Sequence, residues 1–151
     1  HSMIVTVAQA AWQNLGKDAY QAVDRVHLMT YDHDFPHATY DKSTKDIERV
    51  IGWGCVPEKL ALGIPFYGRN KDRKARTYAE ITGNHSVDST KDLIAGFAFN
   101  GQATVAKKVR YAAEKKLAGV MIWELGQDSS RSESRLLEAI RKQVKSAATG
   151  K

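Results

Sequence analysis

Four short apolar runs punctuate the chain: Ile4–Ala8 (IVTVA), Val26–Thr30 (VHLMT), Leu60–Ile64 (LALGI) and Gly119–Trp123 (GVMIW). Each is nearly continuous instead of alternating, which predicts strands covered on both faces. Between them the pattern shifts to a helical period. STKDIERVIGWG begins with Ser43 as an expected N-cap, carries Asp46 in the box position three residues on, and stops at Gly52 and Gly54. ATVAKKVRYAAEKKLAG places Val105, Val109, Ala112 and Ala113 on one stripe, with lysine and arginine opposite and a glycine stop. SESRLLEAIRKQVKS turns Leu136, Leu137, Ile140 and Val144 inward, and the closing AATGK is expected to fray. Only the connection Pro65–Gly101 lacks an evident long helix. It is long for a βα loop and so a candidate functional loop, with TYAEI able to form a helical turn and GFAFNG an extended piece.

The predicted order is β-α-β-α-β-α-β-α, an α/β fold of four βα units with parallel strands. Two closures fit: an open doubly wound sheet, or half of a (βα)8 TIM barrel. The open sheet usually carries a glycine-rich phosphate loop after its first strand, and here that strand runs into AQAAWQNLG without one. Nucleotide binding is disfavoured accordingly.

Length and composition narrow the class. A chain of 151 residues suits one domain, and 42% hydrophobic with 26% charged residues describes a globular chain rather than a disordered one. No apolar run approaches the ~20 residues of a membrane helix, so no membrane is expected. No signal-peptide pattern opens the chain. His1-Ser2-Met3 reads as a cloning scar, with residues 4–151 as the domain. The net charge of +6 raises nucleic acid as a partner, but the cations are spread along helical faces with no dense basic run. No nucleic-acid role is expected. Cys55 is the single cysteine, which excludes an internal disulfide and a cysteine-based zinc cluster; it reads as a small buried hydrophobe.

Candidate chemistry gathers where the strands end. The second strand ends MTYD, the third runs into GIPFYGR, the fourth into IWELGQD, and the first is soon followed by Trp12 and Gln13. In parallel α/β folds all these ends emerge on one face, and that face holds the site. Tyr31, Asp32, Tyr67, Arg69, Trp123, Glu124, Gln127 and Asp128 would thus share a rim. Aromatic faces beside carboxylates, an amide and an arginine suit a sugar, whose C–H faces pack on rings while its hydroxyls and amides take hydrogen bonds. Phosphate would call for clustered cations or a glycine nest. Singly, each of these aromatics reads as packing and each acid as a turn former; repetition on three strands favours the site. His33 and His37, flanking DFP, read as an exposed loop and not a metal site. His27 reads as a strand histidine facing a helix, and Trp53 as helix-end packing. No metal or other cofactor is called for.

In series, VDRVHLMTYD, EKLALGIPFYGR and LAGVMIWELGQD resemble the sixth, seventh and eighth strands of glycoside hydrolase family 18, the chitinase-like (βα)8 barrels. GKDAYQAVD and FNGQATVAKKVRYAAEKKLAGVM fall where that family has helices, so the resemblance covers nearly the whole chain from Ile4. It implies a hydrolase of β-1,4-linked N-acetylglucosamine polymers such as chitin, working by substrate-assisted retention in an extracellular or periplasmic setting. Trp123 would be the floor beneath the sugar at the cleavage point. Tyr31 would bond the N-acetyl group that serves as internal nucleophile, Asp32 would orient that sugar, and Met29 would line the pocket. Tyr67 and Arg69 would border neighbouring subsites, and Glu124 would stand beside the floor, too close to it to act as general acid.

One departure limits the resemblance. The family's general acid closes an Asp-x-x-Asp-x-Asp-x-Glu strand, the fourth of the barrel. The near match DKSTKDIE has Asp41, Asp46 and Glu48 at the right offsets and Thr44 in place of an acid. It follows the sixth-strand motif, lacks alternating apolar residues and begins a helix, so it is set aside. A full barrel takes about 250 residues, and four βα units supply strands five to eight. The expectation is a sugar-binding half-site without its acid, inactive alone, with open edges that favour self-association. The alternatives are a non-catalytic chitinase-like lectin and a hydrolase of peptidoglycan or glycoprotein.

Overall fold

The computed structural model describes residues 3–83 and 87–149. His1 and Ser2 of the presumed scar, and Gly150 and Lys151 of the expected frayed tail, lie outside the described residues. The chain forms β1 (Thr6–Ala10), α1 (Lys17–Ala22), β2 (Arg25–Met29), α2 (Tyr40–Gly52) and β3 (Leu60–Pro65). There follow β4 (Tyr67–Arg69), β5 (Ala75–Thr77), α3 (Tyr78–Thr82), β6 (Leu93–Ile94), β7 (Phe97–Ala98), α4 (Gln102–Glu114), β8 (Gly119–Trp123) and α5 (Leu136–Thr149). No helix among the described residues is long and apolar enough to cross a membrane.

Strands β1, β2, β3 and β8 form one parallel sheet in that order, the four βα units expected of half a TIM barrel. Alternation along the strands separates its two faces. Val26, Leu28, Leu60, Leu62 and Ile64 point into a core shared with Ile47 and Val50 of α2, Val105 and Val109 of α4, and Leu136 and Ile140 of α5. The opposite face carries mostly small side chains around one histidine: Ala8 pairs with His27, His27 with Ala61, and Ala61 with Gly119. His27 therefore stands on the face turned away from the helices, against expectation, and its Nδ1 is buried without a hydrogen-bond partner among the described residues. The first strand also begins two residues later than its apolar run, with Ile4 and Val5 exposed ahead of it.

Three helical details differ from the sequence reading, and in the first two, at Ser43 and Lys108, a polar group found a tertiary partner. The N-cap of α2 is Thr39, whose hydroxyl accepts from the amide of Lys42 (3.3 Å). Ser43 lies a turn inside, buried, donating to the carbonyl of Thr30 (3.0 Å). Lys108 is fully buried in α4 rather than on a solvated face, whereas Ala113 is exposed. On α5, Leu136 and Ile140 are buried but Leu137 and Val144 are exposed, and the helix continues through Thr149. Cys55 is buried and Trp53 packs against the core at the end of α2, as expected.

The long connection after β3 is an antiparallel sheet of order β5-β4-β7-β6, with α3 between its halves. TYAEI gives α3 almost residue for residue, and GFAFNG contains β7. This second sheet grows directly out of β3 and stands beside the C-terminal end of the first.

Candidate functional site

The registers bring the four strand ends together: Ala10 pairs with Met29, Leu28 with Leu62, and Pro65 with Trp123. Asp32, three residues beyond Met29, has a left-handed backbone (φ 62°). Its Oδ1 accepts hydrogen bonds from the Tyr67 hydroxyl (2.6 Å) and the Arg69 Nε (2.5 Å). Both donors use the same oxygen, so Oδ2 has no partner among the described residues.

Burial raises the Asp32 carboxyl, but the hydrogen bonds from Arg69 and Tyr67 and the charge of Arg69 outweigh it. The net result lies below the usual value, so the group stays ionised. Burial, with the Asp32 charge, pushes the Tyr31 phenol up to about 12. Burial and the hydrogen bond to Asp32 push Tyr67 well above its ordinary value. Both phenols therefore remain donors at neutral pH, and that of Tyr31 has no hydrogen-bond partner among the described residues. Tyr31 meets Tyr67 edge-on (centroids 6.1 Å apart, planes at 76°), which fixes both rings.

Trp123 ends β8 beside Pro65, 54% exposed, and the peptide joining it to Glu124 is cis. Met29, Tyr31, Asp32, Tyr67, Arg69 and Trp123 line one cleft of about 480 Å³. Six of the seven residues singled out through the family resemblance, and Gln127 of the strand-end rim, thus meet around one space. Glu124 is the exception: it is exposed, its Oε1 accepts from Gln127 Nε2 (3.4 Å), and it does not line the cleft. Asp128 organises the start of α5, accepting from the amides of Leu136 (2.9 Å) and Leu137 (3.0 Å). Trp12 is exposed, and neither it nor Gln13 borders the cleft.

The second sheet supplies a wall that strand-end reasoning missed, Ala75, Arg76, Thr77 and Glu80, which joins the expected Gln127 in the lining. Glu80 closes a capping box, its Oε2 accepting from the Thr77 amide (2.8 Å) and hydroxyl (2.9 Å). Arg76 lies over the Phe97 ring at 4.8 Å. The Thr-x-x-Glu pattern ahead of α3 was the available signal for this wall.

The two loop histidines are not an exposed pair. His37 is buried and stacked on Tyr67 (centroids 5.4 Å, planes at 27°), and neither ring nitrogen has a hydrogen-bond partner among the described residues. Burial pushes it down to about 4, against the pull of Asp32, so it is neutral. His33 Nε2 sits 2.6 Å from Asp46 Oδ2. Asp46 is thus buried, hydrogen-bonded to His33 and ion-paired with Arg49, and does not form a capping box. DKSTKDIE lies in α2, and Glu48 there bonds the Tyr111 hydroxyl (2.7 Å) and Lys115 (2.8 Å). Among the described residues no group of three or more His, Cys, Asp or Glu comes together as a metal site.

The fold has solved relatives. A chitinase from Bacteroides thetaiotaomicron superposes with a TM-score of 0.85 at 30% identity, over 93% of this chain and 52% of its own. A plant class V chitinase mutant from Cycas revoluta, in complex with (GlcNAc)3, has a TM-score of 0.74 at 24% identity over 93% of this chain and 55% of its own, a likeness of fold. Probable chitinase 2 of Drosophila melanogaster is 22% identical over 85% of this chain and 40% of itself. The chain spans about half the length of these relatives. The family model for Glycosyl hydrolases family 18 matches residues 2–128, taking in β1 through β8 and every cleft residue named above; the chain belongs to that family.

Proposed function

We propose that this chain supplies the sugar-recognition half of a chitinase-type site that acts on N-acetylglucosamine polymers by substrate-assisted retention. The observation that carries the reading is the state of Asp32. Two donors on Oδ1 hold the carboxylate ionised and leave Oδ2 without a partner among the described residues, in a residue that lines the cleft with the exposed Trp123. Oδ2 would accept the N–H of the sugar's acetamido group while Tyr31 donates to its carbonyl, bending that oxygen toward the anomeric carbon. Trp123 would stack beneath the pyranose, with Met29 filling the space beside the acetyl methyl. Arg69, Arg76 and Gln127 would meet the neighbouring unit. The Cycas revoluta relative, of the same fold, was solved with (GlcNAc)3 bound, which fits a ligand of this size.

The reading assigns no general acid to this chain. Glu124 and Glu48 are both outside the cleft, and Glu80 is committed to its capping box. The chain alone is therefore expected to bind without cleaving, and its open strand edges to be closed by a second half-barrel. Calorimetric titration with the N-acetylglucosamine trimer should give saturable binding, lost in Trp123→Ala. A chromogenic chitobiose substrate should stay intact. Absence of binding at millimolar trimer, or turnover by the chain alone, would overturn the assignment.

A further inference from the structure

Lys108 is the odd group in this molecule. It is 0% exposed on α4, and no carboxylate lies within ion-pair distance of it among the described residues. Its Nζ donates to the carbonyl of Ala38 (2.8 Å) and to Asn100 Oδ1 (2.7 Å). Asn100 Nδ2 donates to that same Ala38 carbonyl (2.8 Å), so both lone pairs of one peptide oxygen are occupied. The amide of Ala38 is held as well, donating to His33 Nδ1 (3.3 Å). Because Nδ1 accepts, the ring proton resides on Nε2, where it meets Asp46 Oδ2 at 2.6 Å, and Arg49 holds the other oxygen of Asp46 at 2.8 Å.

Ala38 needs holding. Its φ of 52° lies in the left-handed region, which a residue with a Cβ enters at an energetic penalty. It packs in a small cluster with Tyr31 and Tyr67. Its neighbour His37 lies flat on the Tyr67 ring, and Tyr67 in turn holds Asp32. A shift at residue 38 therefore reaches Tyr31 by direct packing and Asp32 through the His37–Tyr67 stack. Packing alone gives no reason for an amine here. A methionine would fill a similar volume without desolvating a charge, and burial pushes the Lys108 ammonium down to about 7, opposed by Asp92 and Asp46.

We propose that Lys108 and Asn100 are positioning residues for the cleft: together with His33 they knot the backbone at Ala38 and so fix Tyr31 and Asp32 in the geometry that meets the sugar. The inference rests on the sugar-recognition reading for its consequence, though not for the knot itself. Two stretches distant in sequence meet at this residue: the β2–α2 loop, which supplies Ala38 and His33, and the start of α4 with the segment before it, which supplies Lys108 and Asn100.

The test uses the whole chain and compares Lys108→Met and Asn100→Leu with Val109→Ala, a cavity variant on the same helix. Three readouts are taken: amide exchange across residues 31–38, the pH titration of the Arg69 Nε–H proton resonance, and affinity for the N-acetylglucosamine trimer. The resonance reports the bond to Asp32. Both knot variants should accelerate exchange in residues 31–38 about tenfold or more beyond any change in β3 and α5. They should also move the Asp32 midpoint seen at Arg69 upward, and weaken trimer binding about tenfold or more. Val109→Ala should change exchange everywhere alike and leave the Arg69 titration in place. Uniform exchange changes in the knot variants, or an unmoved Arg69 titration, would overturn the proposal. Should the unsubstituted chain fail to bind trimer, the sugar reading falls, while exchange and titration still decide the knot.

Discussion

Gly63 is where fold and site press most closely on each other. It sits in the middle of β3, and its carbonyl accepts the hydroxyl of Thr30 (2.7 Å). A Cβ built there would stand 2.4 Å from the carbonyl oxygen of Leu28, 2.9 Å from the Tyr31 ring edge and 3.2 Å from the amide of Thr30. The ring could swing aside, but the other two atoms are backbone, in β2 and just past its end, and β2 is laddered to β3 through Leu28 and Leu62. Gly63→Ala must therefore either part the sheet locally or drive Tyr31 out of place. Overpacking of this kind costs about 1–3 kcal/mol, and a backbone obstacle puts it near the upper end. In a domain of this size each kcal/mol moves Tm by roughly 2–4 °C, which gives a fall of roughly 6–12 °C. Gly52→Ala is the matched control: a Cβ there meets nothing within 4 Å, at the last residue of α2. It should leave Tm unchanged or raise it slightly, since alanine favours helix by up to ~1 kcal/mol. Calorimetric melts of both variants, with trimer titrations on each, form the assay. If Gly63→Ala melts like Gly52→Ala and binds trimer normally, the close approach of β3 to Tyr31 does not exist as described.

Two pH experiments follow from the charged groups. Asp32 lies below its ordinary value in the folded chain, so its contribution to stability is fully present above about 3.8 and is lost as pH falls through the lower folded value. The unsubstituted chain should accordingly out-melt Asp32→Asn at neutral pH, and the gap should close in acid; a pH-independent gap would contradict the Arg69–Tyr67 clamp. Lys108 behaves in the opposite sense, because burial lowers a cation from 10.5 to about 7. The folded state disfavours its charge, so the penalty is complete below about 7 and is relieved as pH rises toward 10.5. Melting curves of the unsubstituted chain should thus gain on those of Lys108→Met across that window, and parallel curves would mean that the amine is not desolvated.

The sequence located what depends on local pattern. Continuous apolar runs marked all four parallel strands, off by two residues only at β1, where Ile4 and Val5 precede the ladder. Strand-end chemistry was legible for a topological reason: parallel strands deliver their C-termini to one rim whatever their order, so Tyr31, Tyr67 and Trp123 could be assembled without coordinates. The second sheet was not legible as a sheet. Its strands run two or three residues, too short for any period to show, and they are held by pairing to β4 and β7 instead of by an apolar face. The wall that it gives the cleft was lost with it. Buried polar groups were misread for a related reason. Lys108, His37 and Ser43 look solvent-facing by residue type, and only partners distant in sequence, Ala38, Tyr67 and Thr30, bring them inside.

The two faces of the parallel sheet explain why recognition chemistry sits where it does. The helix-facing positions are branched and tightly filled, so the position of each strand is set from that side. The inner face is more open: Ala8, Ala61, Gly63 and Gly119 lie on it beside the single large ring of His27. The missing side chain at Gly63 leaves room for the Tyr31 ring, with Met29, Met121 and Trp123 as the large groups at the top. A sugar would then lie on a rim held by the outer core and not on side chains that must order upon binding, which lowers the entropy lost on association. The knot at Ala38 belongs to the same division of labour. The loop bearing Tyr31 and Asp32 rests on that rim through the cluster of Tyr31, Ala38 and Tyr67 with Met29 and Met121, and buried hydrogen bonds from Lys108 and Asn100 tie its backbone to the helix layer.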